Sequence, residues 1–144
     1  MSDIESNKAV VRKFFEYIGR GDVDALMDLY SESFTAWIAG SLPFSGVQPR
    51  AAIPDKVRGV RSIFPHGLTY TVRSMTAEQD RVSVEAELYG VHVSGKIYHN
   101  HLHWLFFVRE GKIQAFHEYF DTMHANDVLC STPAPGFNTS ANAQ

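Results

Sequence analysis

From Ile4 to Ile18 the apolar side chains Ile4, Val10, Val11, Phe14, Phe15 and Ile18 recur at the spacing that lines one face of an α-helix, and "GRGD" then stops the helix with glycine. Asp22 is placed to cap a second, shorter helix at its N-terminus, with Val23, Leu26, Leu29 and Tyr30 as its apolar stripe. In "FTAWIAG" aromatic and β-branched residues dominate and glycine closes the run, which predicts a first strand. "SLPFSGVQPR" reads as a loop. Pro54 suits the first turn of a third helix, where it loses no internal hydrogen bond, and that helix runs through Val57, Val60 and Ile63 to about Phe64.

Beyond "PHG" the period falls to two. "LTYTVRSM", "RVSVEAELYG", "GKIYHNHLHWLFFV" and "KIQAFHEYF" predict four strands, separated by the turn-like "AEQD", "GVHVSG" and "REGK". Helices first and strands afterwards predict an α+β domain, with the helices packed on one face of a curled antiparallel sheet. Residues 1–130 are expected to form one domain, and the polar, proline-containing "STPAPGFNTSANAQ" at 131–144 a disordered tail.

The last two strands can be registered from the turn between them. A tight turn centred on Glu110 and Gly111 sets Val108 opposite Ile113, and counting outward sets Trp104 opposite His117 and His103 opposite Glu118. Alternation then places His99, His101, His103, Leu105 and Phe107 on one face with Phe116, Glu118 and Phe120. Leu102, Trp104, Phe106, Ile113, Ala115 and Tyr119 take the other. Both faces carry many apolar groups, so one is expected to pack on the helices and the other on a second copy of the chain in a homodimer.

Directly opposed side chains stand about 4.5–5.5 Å apart at Cβ, close enough for Glu118 and His103 to form the hydrogen-bonded acid/base pair that proton transfer near neutral pH requires. Phe116, Phe120, Leu105 and Trp37 are candidate apolar walls for a substrate, and His101 a neighbour in the same pocket. His99, His101, His103 and Glu118 also suggest a metal set. Three successive positions on one strand face span roughly 13 Å, however, too far for a single ion, so neither a metal nor another cofactor is expected. Glu85 and Glu87 alternate with Val82, Val84, Ala86 and Leu88, which buries the apolar residues and exposes the acids. His66 and His92 read as loop residues and His117 as a packing or interface residue.

Composition narrows the classes of function. The chain has 144 residues, 20% of them charged, a formal net charge of −3 and a single cysteine, Cys130. That balance is globular, offers no internal disulfide and argues against nucleic acid, since Arg50, Lys56, Arg58 and Arg61 cluster only on one short helical segment that reads as a solvated face. No apolar run reaches membrane-span length and "MSDIESNKAV" is no signal peptide, so a cytoplasmic location without membrane attachment is expected.

The "GD" between the first two helices, "LPFSG" after the first strand and the closing "GKIQAFHEYFDT" resemble the nuclear transport factor two-like superfamily, within it the SnoaL-like group of polyketide cyclases and their ketosteroid isomerase and limonene-epoxide hydrolase cousins. The resemblance implies a sheet curled into a cone-like barrel, with three N-terminal helices on its concave face. It places the catalytic acid/base of the cyclases at Glu118, seven residues after Gly111, and their active-site histidine at His103. Phe14 and Ile38 stand where the ketosteroid isomerases carry a tyrosine and a base. Glu87 and Glu85 stand where the epoxide hydrolases carry an aspartate and an arginine, which would turn Glu87 into the pocket. The expected function is proton transfer next to a carbonyl, of isomerase or cyclase type, on a small hydrophobic ring compound. A non-catalytic binding protein for such a ligand, or an epoxide hydrolase-like enzyme, is the alternative.

Overall fold

The computed structural model describes residues 3–131, so the tail expected at 131–144 lies almost wholly outside the described residues. Helix α1 runs from Asp3 to Arg20 and α2 from Val23 to Leu29. Gly21 between them adopts φ +67°, a left-handed turn that side chains with a Cβ resist, and Asp22 Oδ1 accepts the Ala25 N–H at 3.1 Å. That cap is worth about 1 kcal/mol. Strand β1 (Tyr30–Ile38) follows at once, and α3 (Ile53–Ile63) starts with proline in its first turn as expected. Strands β3 (Thr69–Glu78), β4 (Arg81–Val91), β5 (Ile97–Arg109) and β6 (Lys112–Phe120) complete the anticipated pattern.

Several details depart from the sequence reading. The loop after β1 contains a short strand, β2 (Gly46–Pro49), paired antiparallel with β1. A fourth short helix, α4 (Thr122–Ala125), follows β6 and runs into one wide turn, Asn126–Cys130. The sheet is a curved, unclosed set of six strands in the order β2-β1-β6-β5-β4-β3 rather than a barrel. Its β1–β6 pair is parallel, which the long path between those strands permits.

The decisive departure lies in the β5–β6 hairpin. The turn is as expected: Arg109 faces Lys112 and Val108 faces Ile113, with Glu110 (φ +52°) and Gly111 (φ +74°) both left-handed, as a two-residue hairpin turn requires. One step later the ladder slips, and Phe107 pairs with Ala115, leaving Gln114 as an extra residue in β6. From there Phe106 faces Phe116, Trp104 faces Glu118 and His103 faces Tyr119. Because side chains alternate with period two, this one-residue bulge reverses the relation between the faces of the two strands.

The inner face of β5 is therefore Tyr98, Asn100, Leu102, Trp104, Phe106 and Val108, all buried, and it meets Ile113, Phe116, Glu118 and Phe120 of β6. His99, His101, His103, Leu105 and Phe107 point to the other side. Helix α1 lies across this inner face and sets Phe14 edge-on against Phe106 and Phe116 (ring centroids 5.0 and 5.7 Å) and Phe15 against Trp104 (5.1 Å). Each fully buried aromatic of this cluster contributes about 1.5–3 kcal/mol of hydrophobic stabilisation, so the cluster fixes how the helix sits on the sheet. Among the described residues no helix is long and apolar enough to cross a membrane.

Candidate active site

Helices and sheet leave between them a cavity of about 200 Å³. Its walls come from every layer: Phe14 and Ile18 of α1, Tyr30, Ala36 and Ile38 of β1, Val57 and Val60 of α3, Tyr70 of β3, Leu88 of β4, Tyr98 and Trp104 of β5, and Phe116, Glu118 and Phe120 of β6. The lining is overwhelmingly apolar. Glu118 is its one acid among the described residues, while Lys56 and Arg61 of α3 and Gln48 of β2 supply the remaining long polar side chains.

The sheet fixes Glu118 from both sides. Trp104 stands opposite it on β5, Ile38 beside it on β1, and its carbonyl accepts the Ala39 N–H at 3.0 Å. Protein surrounds the carboxyl, which keeps only the partial exposure that the cavity gives it. Loss of solvation pushes its pKa up to about 7, against a smaller lowering by the Trp104 side chain. Trp104 Nε1 is buried and makes no hydrogen bond of normal geometry, yet its N–H lies near enough to the carboxyl to favour the ionised form.

Three tyrosines share the cavity. Burial raises the phenol pKa of Tyr30, Tyr70 and Tyr98 well above the ordinary value, and the field of Glu118 adds to each rise. All three stay neutral around pH 7 and can offer O–H donors. Tyr98 is held by Asn100, whose Nδ2 donates to the phenol oxygen at 3.0 Å and to the Asp121 carbonyl at 3.0 Å. The site thus combines one carboxyl poised near neutrality with neutral donors in an apolar enclosure.

Of the site residues singled out in the sequence, Glu118, Phe116, Phe120, Phe14 and Ile38 line this cavity. The others do not. His103 is on the outer face, where its Nε2 shares a hydrogen bond with the Ser83 hydroxyl, so it is not the partner of Glu118. His101 is on the same outer face, and Leu105 beside it is only partly buried. Trp37 packs outside against His117 and Tyr119 (ring centroids 5.5 and 5.3 Å). Glu87, turned to the outer face by its own alternation as periodicity predicts, is half-buried there and pairs with Arg73, His99 and His101. The second acid of an epoxide hydrolase-like set is therefore absent from the cavity.

The physical reason for the displaced residues of β5 and β6 is the Gln114 bulge. A signal for it existed: in β5 the even positions Tyr98, Leu102, Trp104, Phe106 and Val108 form the more apolar series, while in β6 Ile113 and Phe116 are three apart and only an extra residue lets both face inward. No local signal marks the three tyrosines as neighbours, because they come from three distant strands that only folding brings together, and Tyr30, expected in the stripe of α2, opens β1.

The family model of the SnoaL-like domain matches residues 11–116, most of the described chain. No curated protein matches the sequence. Among solved structures, PrhC from Penicillium brasilianum NBRC 6234 superposes with a TM-score of 0.81 at 16% identity, covering 89% of this chain and 88% of its own. Bal32a from a soil-derived mobile gene cassette gives 0.80 at 18%, covering 88% and 98%. A protein of Jannaschia sp. CCS1 described as a "putative SnoaL-like polyketide cyclase" gives 0.74 at 19%, covering 92% and 98%. At such identities these structures share the fold with this chain, and it is the match of the family model over residues 11–116 that establishes that the chain belongs to the SnoaL-like domain family.

Proposed function

We propose that the chain is a small-molecule enzyme that moves a proton next to a carbonyl group of an apolar, ring-containing compound, with Glu118 as the base. The observation that carries this reading is the placement of Glu118 as the one acid, among the described residues, in a largely apolar cavity. Its carboxylate takes a proton from the carbon beside the carbonyl. The C–H electron pair passes into the C–C bond and the carbonyl oxygen becomes an enolate oxygen. The Trp104 N–H and the hydroxyls of Tyr30 and Tyr70 are the donors available to stabilise that charge. Return of the proton to another carbon completes an isomerisation. Attack of the enolate carbon on a second carbonyl of the same molecule forms the ring bond and pushes that C=O π pair onto oxygen, and protonation of this alkoxide by Glu118 completes a cyclisation, the reaction type named for the Jannaschia protein.

The test is α-deuterated aromatic and polycyclic ketones incubated with the protein, with loss of the deuteron followed by NMR. Exchange is expected to rise with pH through about 7 as Glu118 ionises. Glu118→Gln is expected to lower it at least about 100-fold. Ligands that bind without exchange would favour the non-catalytic binding protein, and unchanged exchange in the variant would remove Glu118 from the chemistry.

We also propose that two copies pair through the outer sheet face. Support comes from the aromatic group Trp37, His117, Phe107 and Tyr119, beside which Val47 is 65% and Tyr119 45% exposed.

A further inference from the structure

The histidines that the bulge turns away from the cavity meet a carboxylate on the outer face. His99 and His101 occupy alternate positions of β5, so both imidazoles project from one side of the strand. Glu87 of β4 pairs directly with His101. Glu87 Oε1 lies 2.9 Å from His99 Nε2 and 3.6 Å from His101 Nε2, and the three donor atoms all fall within 4.8 Å of one another.

A second bulge supports the arrangement. Between Val72 and Ser74 the β3–β4 ladder slips by one residue, and the extra residue, Arg73, bonds through Nε to Glu87 Oε2. The guanidinium thus holds one carboxylate oxygen and leaves the other facing the histidines.

We propose that Glu87, His99 and His101 form a binding site for a divalent transition-metal ion of the zinc class. Two imidazoles and one carboxylate are the donor set that such ions accept, whereas Mg²⁺ and Ca²⁺ prefer oxygen alone. In a tetrahedral site with bonds of about 2.1 Å, neighbouring donors stand roughly 3.4 Å apart. The two separations from Glu87 bracket that value and the third is within 4.8 Å, so rotation of the two exposed imidazoles about the held carboxylate closes the site. The ion takes the place of the hydrogen bond between His99 and Glu87, which requires His99 to carry its proton on Nδ1. Arg73 acts as the outer partner that orients the ligating carboxylate, and the fourth position is open to water. The set uses only neighbouring β5 positions, which removes the distance that argued against three successive histidines. His103, two residues further along, is engaged with Ser83 and is not a ligand.

The test is titration of the full-length, untagged, chelator-treated protein with Zn²⁺ by calorimetry and with Co²⁺ by visible absorption. One Zn²⁺ per chain, a tetrahedral Co²⁺ spectrum and a rise in melting temperature with added Zn²⁺ are expected. Glu87→Gln, His99→Ala and His101→Ala should each weaken Zn²⁺ binding at least about tenfold, and His103→Ala should leave it unchanged. All four positions lie on the outer face, and circular dichroism confirms that each variant is folded. Wild-type protein that takes up no Zn²⁺, or takes it up equally well in the three ligand variants, overturns the site.

Discussion

Glu118 illustrates how one residue couples stability to chemistry. Its carboxyl has an ordinary pKa of 4.5 and is pushed up to about 7 by burial, so the fold accommodates the neutral form. Stability from this group is then fully present below pH 4.5 and is lost as pH rises toward about 7. At about 1.4 kcal/mol per pH unit the loss amounts to about 3 kcal/mol. Glu118→Gln abolishes it. Urea denaturation is expected to show the variant gaining about 3 kcal/mol on wild type as pH rises from about 4 to about 8. The same pH dependence in both proteins would mean that Glu118 is solvated in the native state. Only where Glu118 is driven to ionise, as pH rises toward about 7 and beyond, is the fold expected to be more stable without this carboxyl.

At the scale of elements, two single-residue bulges decide what each sheet face carries. Gln114 in β6 places Phe116, Glu118 and Phe120 on the side of Trp104 and Phe106, and Arg73 in β3 directs a guanidinium onto Glu87. Deleting Gln114 restores an unbroken ladder from the turn and sets the inward residues of the two strands out of phase. Loss of even one buried aromatic costs about 3–5 kcal/mol, so the deletion is expected to unfold the domain or destabilise it by at least that much in chemical denaturation. Gln114→Ala keeps the bulge and loses only the side chain's contacts to the Arg109 and Lys112 carbonyls, both 3.3 Å long. It should cost at most about 1 kcal/mol. A deletion as stable as Gln114→Ala would show that the register is not what orders this hairpin.

For the molecule as a whole, the curved sheet has two differently used sides. The concave side, closed by α1 and α3, holds the cavity, while the convex side carries the Glu87–His99–His101 group and the aromatic patch around Trp37. A dimer formed through that patch predicts that sedimentation equilibrium gives twice the chain mass, and that Tyr119→Glu shifts the protein to monomer with the fold intact. A wild-type chain that sediments as a monomer would refute the pairing. Neither result bears on the cavity, which a single chain forms.

The sequence by itself determined the elements and much of their order. Helical spacing located α1 and α3, Asp22 and Gly21 marked the junction with α2, period-two alternation located β3 to β6, and "REGK" set the closing turn correctly. These signals are local, carried by residues a few positions apart. The sequence also pointed to Glu118, Phe116, Phe120 and Phe14, since alternation within β6 and the apolar stripe of α1 are likewise local. Which residues Glu118 would meet was a different matter. Pairing across a sheet depends on the cumulative count of residues along two strands, and one bulged residue reverses every face beyond it. Only the tertiary structure decided that His103 faces outward, that Trp104 stands opposite Glu118 in a cavity shared with three tyrosines from separate strands, and that Glu87 stands beside the histidines of "YHNHLHW" on the opposite side of the sheet.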